Sequence, residues 1–92
     1  MSPNPIKRER VNFRVQATAG SQVYLTGSFN DWSETKKALK EGEEGWFTGY
    51  LLLKPRSYEY KFIVDGEWRV DPEREEWTPN SLGSLNSVIT VG

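Results

Sequence analysis

The chain has 92 residues, a length that fits one domain built around a modest hydrophobic core. It contains neither cysteine nor histidine, which excludes disulfides, thiolate metal sites and the commonest general base. Twelve basic and thirteen acidic residues leave a net charge of -1, so no long-range attraction to nucleic acid or anionic lipid is expected.

The first third of the chain reads as a tail followed by two strands. Residues 1–9 contain two prolines and several charges, and they are predicted to form a flexible tail ahead of a domain that spans residues 10–92. Apolar and polar side chains alternate over residues 10–17 and again over residues 22–28, which is typical of strands with one buried face. Gly20 supplies the turn between these two strands.

The middle of the chain combines a polar segment with two regular strand patterns. Residues 33–44 are polar, so Ala38 and Leu39 are expected to be their inward-facing anchors, and a helical turn is one alternative for this segment. Residues 46–53 and 58–65 each alternate, which predicts two further strands. The buried face of the second strand is expected to carry Tyr58, Tyr60, Phe62 and Val64.

The last third of the chain predicts a hairpin, a charged loop and a final strand. Asp65-Gly66 is a strong signal for a two-residue hairpin turn, after which residues 67–70 pair back. Residues 71–80 form a charged loop that carries Trp77, and residues 86–91 form the last strand. Short strands separated by turns are typical of an all-β protein, and we expect an antiparallel immunoglobulin-like β-sandwich.

Two tryptophans occupy positions that suit a surface better than a core. Trp32 and Trp68 each end a strand-and-turn segment beside Asn, Asp, Glu or Gly. A large ring placed there can lie flat as a platform for the C–H face of a sugar, whose hydroxyls then need fixed donors and acceptors. Lys61 and Asn86 are suitable types for that purpose. The structural alternative is that both tryptophans cap the end of the core.

The acidic residues favour neither catalysis nor nucleic-acid binding. Glycoside hydrolysis needs one carboxyl group that burial keeps neutral, whereas these carboxylates lie in turns or charged runs where water keeps them ionised. A calcium site within residues 71–76 lacks the usual ligand spacing. An acidic rim near the tryptophans would repel a polyanion but not a neutral glucan; its members are Asp31, Glu34, Glu67, Asp71, Glu73, Glu75 and Glu76.

Four segments in order resemble a family-48 carbohydrate-binding module. They are residues 23–32, 58–68, 71–72 and 82–88, and the resemblance covers residues 10–92. That family includes the glycogen-binding domain of the AMP-activated protein kinase beta subunit and modules that precede the catalytic barrels of glycogen branching and debranching enzymes. The resemblance therefore implies binding of α-1,4-glucans such as glycogen or starch-like oligosaccharides.

The resemblance also assigns roles to individual positions. It implies that Trp32 and Trp68 stack on sugar rings, that Lys61 and Asn86 bind hydroxyls, and that Leu82 enters the curve of the glucan. Without it, the last three would read as a solvated lysine, a turn-forming asparagine and a minor core leucine. Two departures from the family affect the loops. Arg56 stands where many members have a glycine, and the loop of residues 73–81 looks one residue longer than in the kinase subunit. This loop carries Trp77, which is a candidate additional contact or a loop anchor.

The expected role is non-catalytic and needs no cofactor or metal. The domain would hold a partner, such as a kinase or a glucan-metabolising enzyme, on the glucan. A protein-interaction domain of the same fold, and a module cut from a glucan-active enzyme, remain alternatives. No apolar run is long enough to span a membrane and no signal peptide is recognisable, so a cytoplasmic protein without membrane or nucleic-acid partners is expected.

Overall fold

The computed structural model describes residues 7–92, which form two antiparallel β-sheets packed face to face as an immunoglobulin-like sandwich. The three-stranded sheet has the order β1-β4-β3, with β1 at Glu9–Gln16, β3 at Lys40–Glu41 and β4 at Trp46–Leu53. The five-stranded sheet has the order β2-β5-β8-β7, and β6 pairs with β5. Its strands are β2 (Val23–Gly27), β5 (Arg56–Val64), β6 (Glu67–Arg69), β7 (Trp77–Pro79) and β8 (Leu85–Val91).

Strand β5 is central because both of its edges are paired. Along one edge it pairs with β2, from Val64 opposite Val23 to Tyr60 opposite Gly27. Along the other edge its first half pairs with β8 and its last three residues pair with β6. The side chains of β5 alternate between the two faces of the sheet, so one set enters the core while the other faces outward.

The core lies between the two sheets and is built around aromatic rings. Phe13 of β1 meets Tyr60 of β5 edge to face, with ring centroids 5.1 Å apart, and Tyr60 meets Phe62 at 6.0 Å. Both contacts have the edge-to-face geometry that aromatic pairs prefer. The buried apolar residues of this core are Phe13, Val15, Val23, Leu25, Leu39, Phe47, Leu53, Tyr58, Tyr60, Phe62, Val64 and Val91.

A buried polar network ties the charged loop to this core. The Tyr60 hydroxyl donates to Asp71 Oδ2 at 2.7 Å, and the backbone N–H of Asp71 donates to Ser87 Oγ at 2.7 Å. Arg74 donates from Nη1 to the Tyr60 oxygen at 2.9 Å. Burial raises the pKa of Tyr60 above its ordinary value, and the hydrogen bond to Asp71 acts in the same direction. Asp71 therefore has a structural role in this network.

The predicted fold class is confirmed, and six predicted strands agree with β1, β2, β4, β5, β6 and β8 within two residues at either end. Tyr58, Tyr60 and Phe62 are buried as predicted. The inward role of Ala38 was wrong: its side chain is exposed, and only its backbone bridges to Tyr24. Leu39 alone anchors that segment in the core.

Two further differences concern short elements. The helical-turn alternative for residues 33–44 was wrong for most of that segment, which contains β3 and reaches a single 3-10 turn at Glu43–Gly45. Strand β7 lies inside the predicted charged loop. The predicted tail falls mostly on residues 1–6, outside the described residues, while Glu9 already belongs to β1. Between residues 7 and 92 no helix is long and apolar enough to cross a membrane.

Candidate functional site

An open groove of about 750 Å³ lies on the outer face of the five-stranded sheet. Its floor is formed by β5 and β8, and its walls are formed by the turn after β2, the β5–β6 hairpin and the loop before β8. All five residues predicted to contact sugar line it. The complete lining is Ser28, Trp32, Glu59, Lys61, Trp68, Pro79, Asn80, Ser81, Leu82, Ser84 and Asn86.

The turn after β2 places Trp32 on one wall of the groove. It begins with a 3-10 turn at Ser28–Asn30, and then Asp31 and Trp32 both adopt left-handed backbone conformations, with φ of 54° and 58°. Such conformations are unfavourable for residues other than glycine, so the surroundings must hold them in place. The Trp32 N–H donates to the Gly27 carbonyl at 2.9 Å and closes the turn.

Asn30 holds the same turn from inside. Its Oδ1 accepts the Gly27 N–H at 3.1 Å, and its Nδ2 donates to the Leu25 carbonyl at 3.2 Å. Gly27 itself is required by close approach, since a Cβ there would lie 2.5 Å from the Glu59 carbonyl oxygen and 2.8 Å from the Phe29 ring. The Gly-Ser-Phe-Asn-Asp-Trp stretch therefore specifies one rigid turn with the indole at its end.

The β5–β6 hairpin carries Trp68 on the other side of the groove. Asp65 and Gly66 both have positive φ, at 48° and 84°, as a two-residue hairpin turn of this kind requires. The Asp65 carboxylate accepts the Gln22 N–H at 2.8 Å. This backbone hydrogen bond, with a second bond from Ser21, lowers the pKa of Asp65. The turn is thereby joined to the start of β2.

Trp68 is 43% exposed although it lies on a strand. Trp68 of β6 is paired with Ile63 on one edge of β5, and Tyr24 of β2 is paired with the same Ile63 on the other edge. Ile63 is only 4% exposed, so an outward-facing apolar residue is covered between two aromatic positions. Part of the indole is therefore buried, and the remaining surface faces the groove.

The floor of the groove presents polar groups that are nearly buried. Lys61 is 9% exposed and Asn86 is 6% exposed. The Lys61 ammonium donates to Ser84 Oγ at 2.6 Å, and Asn86 Nδ2 donates to Glu59 Oε1 at 2.9 Å. These contacts fix the amine and the amide in place, although alternation alone predicted only an outward, solvated lysine.

Thr26 lies beside this floor with an unused hydroxyl group. It pairs with Lys61 in the register of β2 and β5, and its side chain is fully buried. Within residues 7–92 its oxygen has no hydrogen-bond partner. A buried hydroxyl group without a partner is unfavourable. Thr26 therefore adds one polar group between β2 and β5 that no hydrogen bond in the described part of the chain satisfies.

Asn80 organises the loop that carries Leu82. Its Oδ1 accepts the backbone N–H groups of Leu82 at 2.9 Å and Ser84 at 3.1 Å. Its Nδ2 donates to Asn86 Oδ1 at 3.0 Å. The loop is thus held by its own side chain, and Leu82 projects from it with 89% of its surface exposed. An exposed leucine on an ordered loop has no packing role in the core.

Sequence reasoning missed six lining residues of the groove, and three of them, Glu59, Asn80 and Ser84, take part in its hydrogen bonds; the other three are Ser28, Pro79 and Ser81. The outward position of Glu59 on β5 was a usable signal, because alternate residues of one strand share a face with Lys61. Asn80 and Ser84 gave no comparable signal, because their roles depend on hydrogen bonds that only the folded loop creates. Glu59 and Lys61 place opposite charges side by side in the floor.

The structure does not bring Trp77 into this groove. Trp77 is 48% exposed at the start of β7, and it pairs with Ser87, whose side chain points to the buried Asp71. Directly paired residues share one side of a sheet, so Trp77 belongs to the side opposite the groove floor. It nevertheless lines a depression next to the groove, and the two share Ser28 and Glu59. Its role as an additional contact stays a prediction.

The arrangement suits a neutral, hydroxyl-rich ligand with flat apolar faces. Two indoles and one leucine supply apolar contact, and an ammonium, two amides and a carboxylate supply fixed donors and acceptors. Among residues 7–92 no group of three or more acidic side chains is placed to hold a metal ion. The groove therefore has the composition of a binding site for small polar molecules.

Comparison with known proteins gives one family and several relatives. The family described as the glycogen recognition site of AMP-activated protein kinase matches residues 10–92. Protein PTST homolog 2, chloroplastic, of Arabidopsis thaliana is 52% identical over 77 residues, which cover 84% of this chain and 14% of that protein. Protein FLOURY ENDOSPERM 6, chloroplastic, of Oryza sativa subsp. japonica is 42% identical over 82 residues, which cover 89% and 15%.

A third relative comes from animals. The 5'-AMP-activated protein kinase subunit beta-1 of Homo sapiens is 39% identical over 72 residues, which cover 78% of this chain and 25% of that subunit. The chain thus spans between 14% and 25% of the length of these three relatives. The matched region in each is one part of a longer protein.

Proposed function

Because this chain belongs to the family of the glycogen recognition site of AMP-activated protein kinase, we propose that its groove binds α-1,4-linked glucans such as glycogen and starch-like oligosaccharides. The observation that carries this proposal is the convergence of Trp32, Lys61, Trp68, Leu82 and Asn86 on one groove. These residues come from three separate stretches of the sequence, and only the fold brings them together.

The two tryptophans would stack on sugar rings. The C–H face of a pyranose is weakly positive and the face of an indole carries negative density, so the two attract while the hydroxyls stay free at the ring edge. An α-1,4-glucan coils, and Trp32 and Trp68 stand on different elements of the groove wall. Rings held on separate elements can follow a curved ligand, and Leu82 would fill its concave side.

The floor would bind the hydroxyls. Lys61 has three donors and gives one to Ser84, and Asn86 gives one donor to Glu59. The remaining N–H groups and the second Glu59 oxygen are available to a ligand. Because these groups are already fixed by their neighbours, little side-chain freedom is lost on binding.

The affinity is expected to be weak. Stacking of a base on an aromatic side chain contributes about 1–3 kcal/mol, and two sugar contacts of similar size oppose the loss of free motion on association. Hydrogen bonds from the floor add to the two stacking contacts, and we expect a dissociation constant of roughly 10 μM to 1 mM. Weak sites suit a polymer that offers many equivalent segments.

We further propose that the domain is non-catalytic and targets a larger assembly to the glucan. The carboxylate in the groove, Glu59, is bonded to Asn86, and the buried Asp71 is bonded to Tyr60 outside the groove. The partner would be a kinase or a glucan-metabolising enzyme, because relatives include a kinase subunit. The cytoplasmic location stays a prediction, since the two plant relatives are named as chloroplastic.

A titration with maltoheptaose, followed by amide and indole NMR shifts, tests the proposal. Saturable shifts at Trp32 and Trp68, with no response to cellohexaose, would support it. A response to both sugars would leave sugar binding intact but refute selectivity for the α-linkage. No response up to several millimolar would refute the proposal and favour a protein-interaction domain of the same fold.

A further inference from the structure

The outer face of the three-stranded sheet carries a concentration of positive charge that glucan binding does not use. Its strands place outward Arg10 and Arg14 from β1, Lys40 from β3, and Trp46, Thr48, Tyr50 and Leu52 from β4. Lys37 adds a fourth cation beside Tyr50. We refer to these eight residues as the basic face. No acidic residue occupies an outward position on any of these three strands, whereas the whole chain has a net charge of -1.

Most of this positive charge has no partner within the domain. Between residues 7 and 92 the ion pairs join Arg14 to Glu73, Arg69 to Glu67 and Arg74 to Asp71. In that part of the chain, Arg10, Lys37 and Lys40 therefore have no carboxylate in ion-pair contact. Unpaired cations on one face create a positive potential that attracts an acidic ligand.

The aromatic rings of the basic face hold the cations in place. Arg10 lies over the Tyr50 ring with its guanidinium carbon 4.0 Å from the centroid, and the Lys37 ammonium lies 5.6 Å from the same centroid. Arg14 lies 4.2 Å above the Trp46 ring. A stacked guanidinium loses less freedom when it binds a carboxylate, so these arginines are prepared for a ligand.

The same contacts argue against nucleic acid as the ligand. Proteins that bind single-stranded nucleic acid stack its bases on free aromatic faces. Here Arg10 and Lys37 lie by the Tyr50 ring and Arg14 lies over the Trp46 ring, so cations already occupy part of the aromatic surface that a base would need. Leu52 is 53% exposed and Tyr50 is 46% exposed on the same face, and apolar and aromatic residues beside arginine are typical of protein interfaces.

We propose that the basic face binds an acidic, extended segment of a partner protein. An eight-residue strand such as β1 is about 26 Å long, and three strands are about 10–15 Å wide, which fits one extended peptide better than a globular domain. Carboxylates of that peptide would bind Arg10, Lys37 and Lys40, and an apolar side chain would contact Leu52. Because the groove lies on the other sheet, the domain could bind glucan and this segment together.

Fluorescence anisotropy with a labelled peptide about ten residues long, made of glutamate, serine and leucine, tests the proposal. A peptide with glutamine in place of each glutamate is the control for charge. Arg10→Glu is expected to weaken binding of the acidic peptide at least about fivefold, since it replaces an attraction by a repulsion. Arg56→Glu changes the net charge equally on the five-stranded sheet and is expected to leave binding nearly unchanged.

Three results would overturn the proposal. The first is an equal loss of affinity for the acidic peptide in Arg10→Glu and Arg56→Glu. The second is binding of the glutamine peptide as tight as that of the acidic peptide. The third is tighter binding of a single-stranded oligothymidine than of the acidic peptide. The last would make the face a polyanion site. A maltoheptaose titration of Arg10→Glu, expected to match the parent chain, shows that the variant is folded and keeps this test independent of the groove.

Discussion

Replacing Trp68 by alanine removes one wall of the groove while leaving the hairpin turn intact. If its indole stacks on a sugar ring, the loss is about 1–3 kcal/mol, which weakens maltoheptaose binding roughly 5- to 150-fold. The fold should survive, because Trp68 is 43% exposed. An indole buries about 200 Å² when fully covered, so losing little more than half of that lowers stability by at most roughly 2–3 kcal/mol.

That loss is smaller than the stability of the domain. A chain of 92 residues is expected to have an unfolding free energy of about 5–14 kcal/mol. Circular dichroism should therefore show a folded variant with a lower melting temperature, and calorimetry should show the weaker affinity. Trp68→Phe keeps a ring and should retain most of the binding.

Two outcomes would refute this reasoning in different ways. A folded Trp68→Ala variant with unchanged affinity would show that the ring does not contact the ligand. A variant unfolded at 25 °C would show that the indole is part of the core and that its exposed surface is incidental.

Three further predictions follow from other contacts. Leu82→Ala should weaken maltoheptaose binding about two- to tenfold, whereas Leu85→Ala, an exposed leucine outside the groove, should not; equal effects would contradict the role of Leu82. Gly27→Ala should lower the unfolding free energy in urea by more than about 2 kcal/mol, because its Cβ would clash with the Glu59 carbonyl, and an unchanged midpoint would show that the turn has room. Above about pH 10 the unfolding free energy should fall by up to about 1.4 kcal/mol per pH unit through Tyr60, because the unfolded state loses a proton that the folded state keeps. Tyr60→Phe should show a shallower alkaline slope, and an identical slope would exclude Tyr60 as its source.

The long alternating strands could be predicted because each carries its own signal. In residues 46–53 and most of β5, the alternation of side chains alone predicts a strand with one buried face. Asp65-Gly66 predicts the hairpin turn. The missed strands β3 and β7 have two and three residues, and β7 ends in proline. Such strands form because an existing neighbour offers free hydrogen bonds, which no local pattern encodes.

The residues of the candidate site likewise divide into those with a local sequence signal and those without one. Trp32 and Trp68 could be selected from their turns, since a ring at a strand end among polar residues is conspicuous in the sequence. The ordered state of Lys61 could not be predicted, because it depends on Ser84, 23 positions away. Asn80 likewise bonds to Leu82 and Ser84 within its loop and to Asn86 on β8, and a solitary asparagine in a charged segment gives no sign of that.

The order that Asn80 imposes on its loop has a kinetic consequence. A loop already held by its own hydrogen bonds need not rearrange when a ligand arrives, so association can proceed at the usual rate of about 10⁵–10⁷ M⁻¹s⁻¹. With a dissociation constant near 100 μM, each contact would last on the order of 1–100 ms. A protein carrying this domain would release one segment of a polymer and rebind another many times a second. It would stay bound to the glucan polymer as a whole while moving from one segment of it to another.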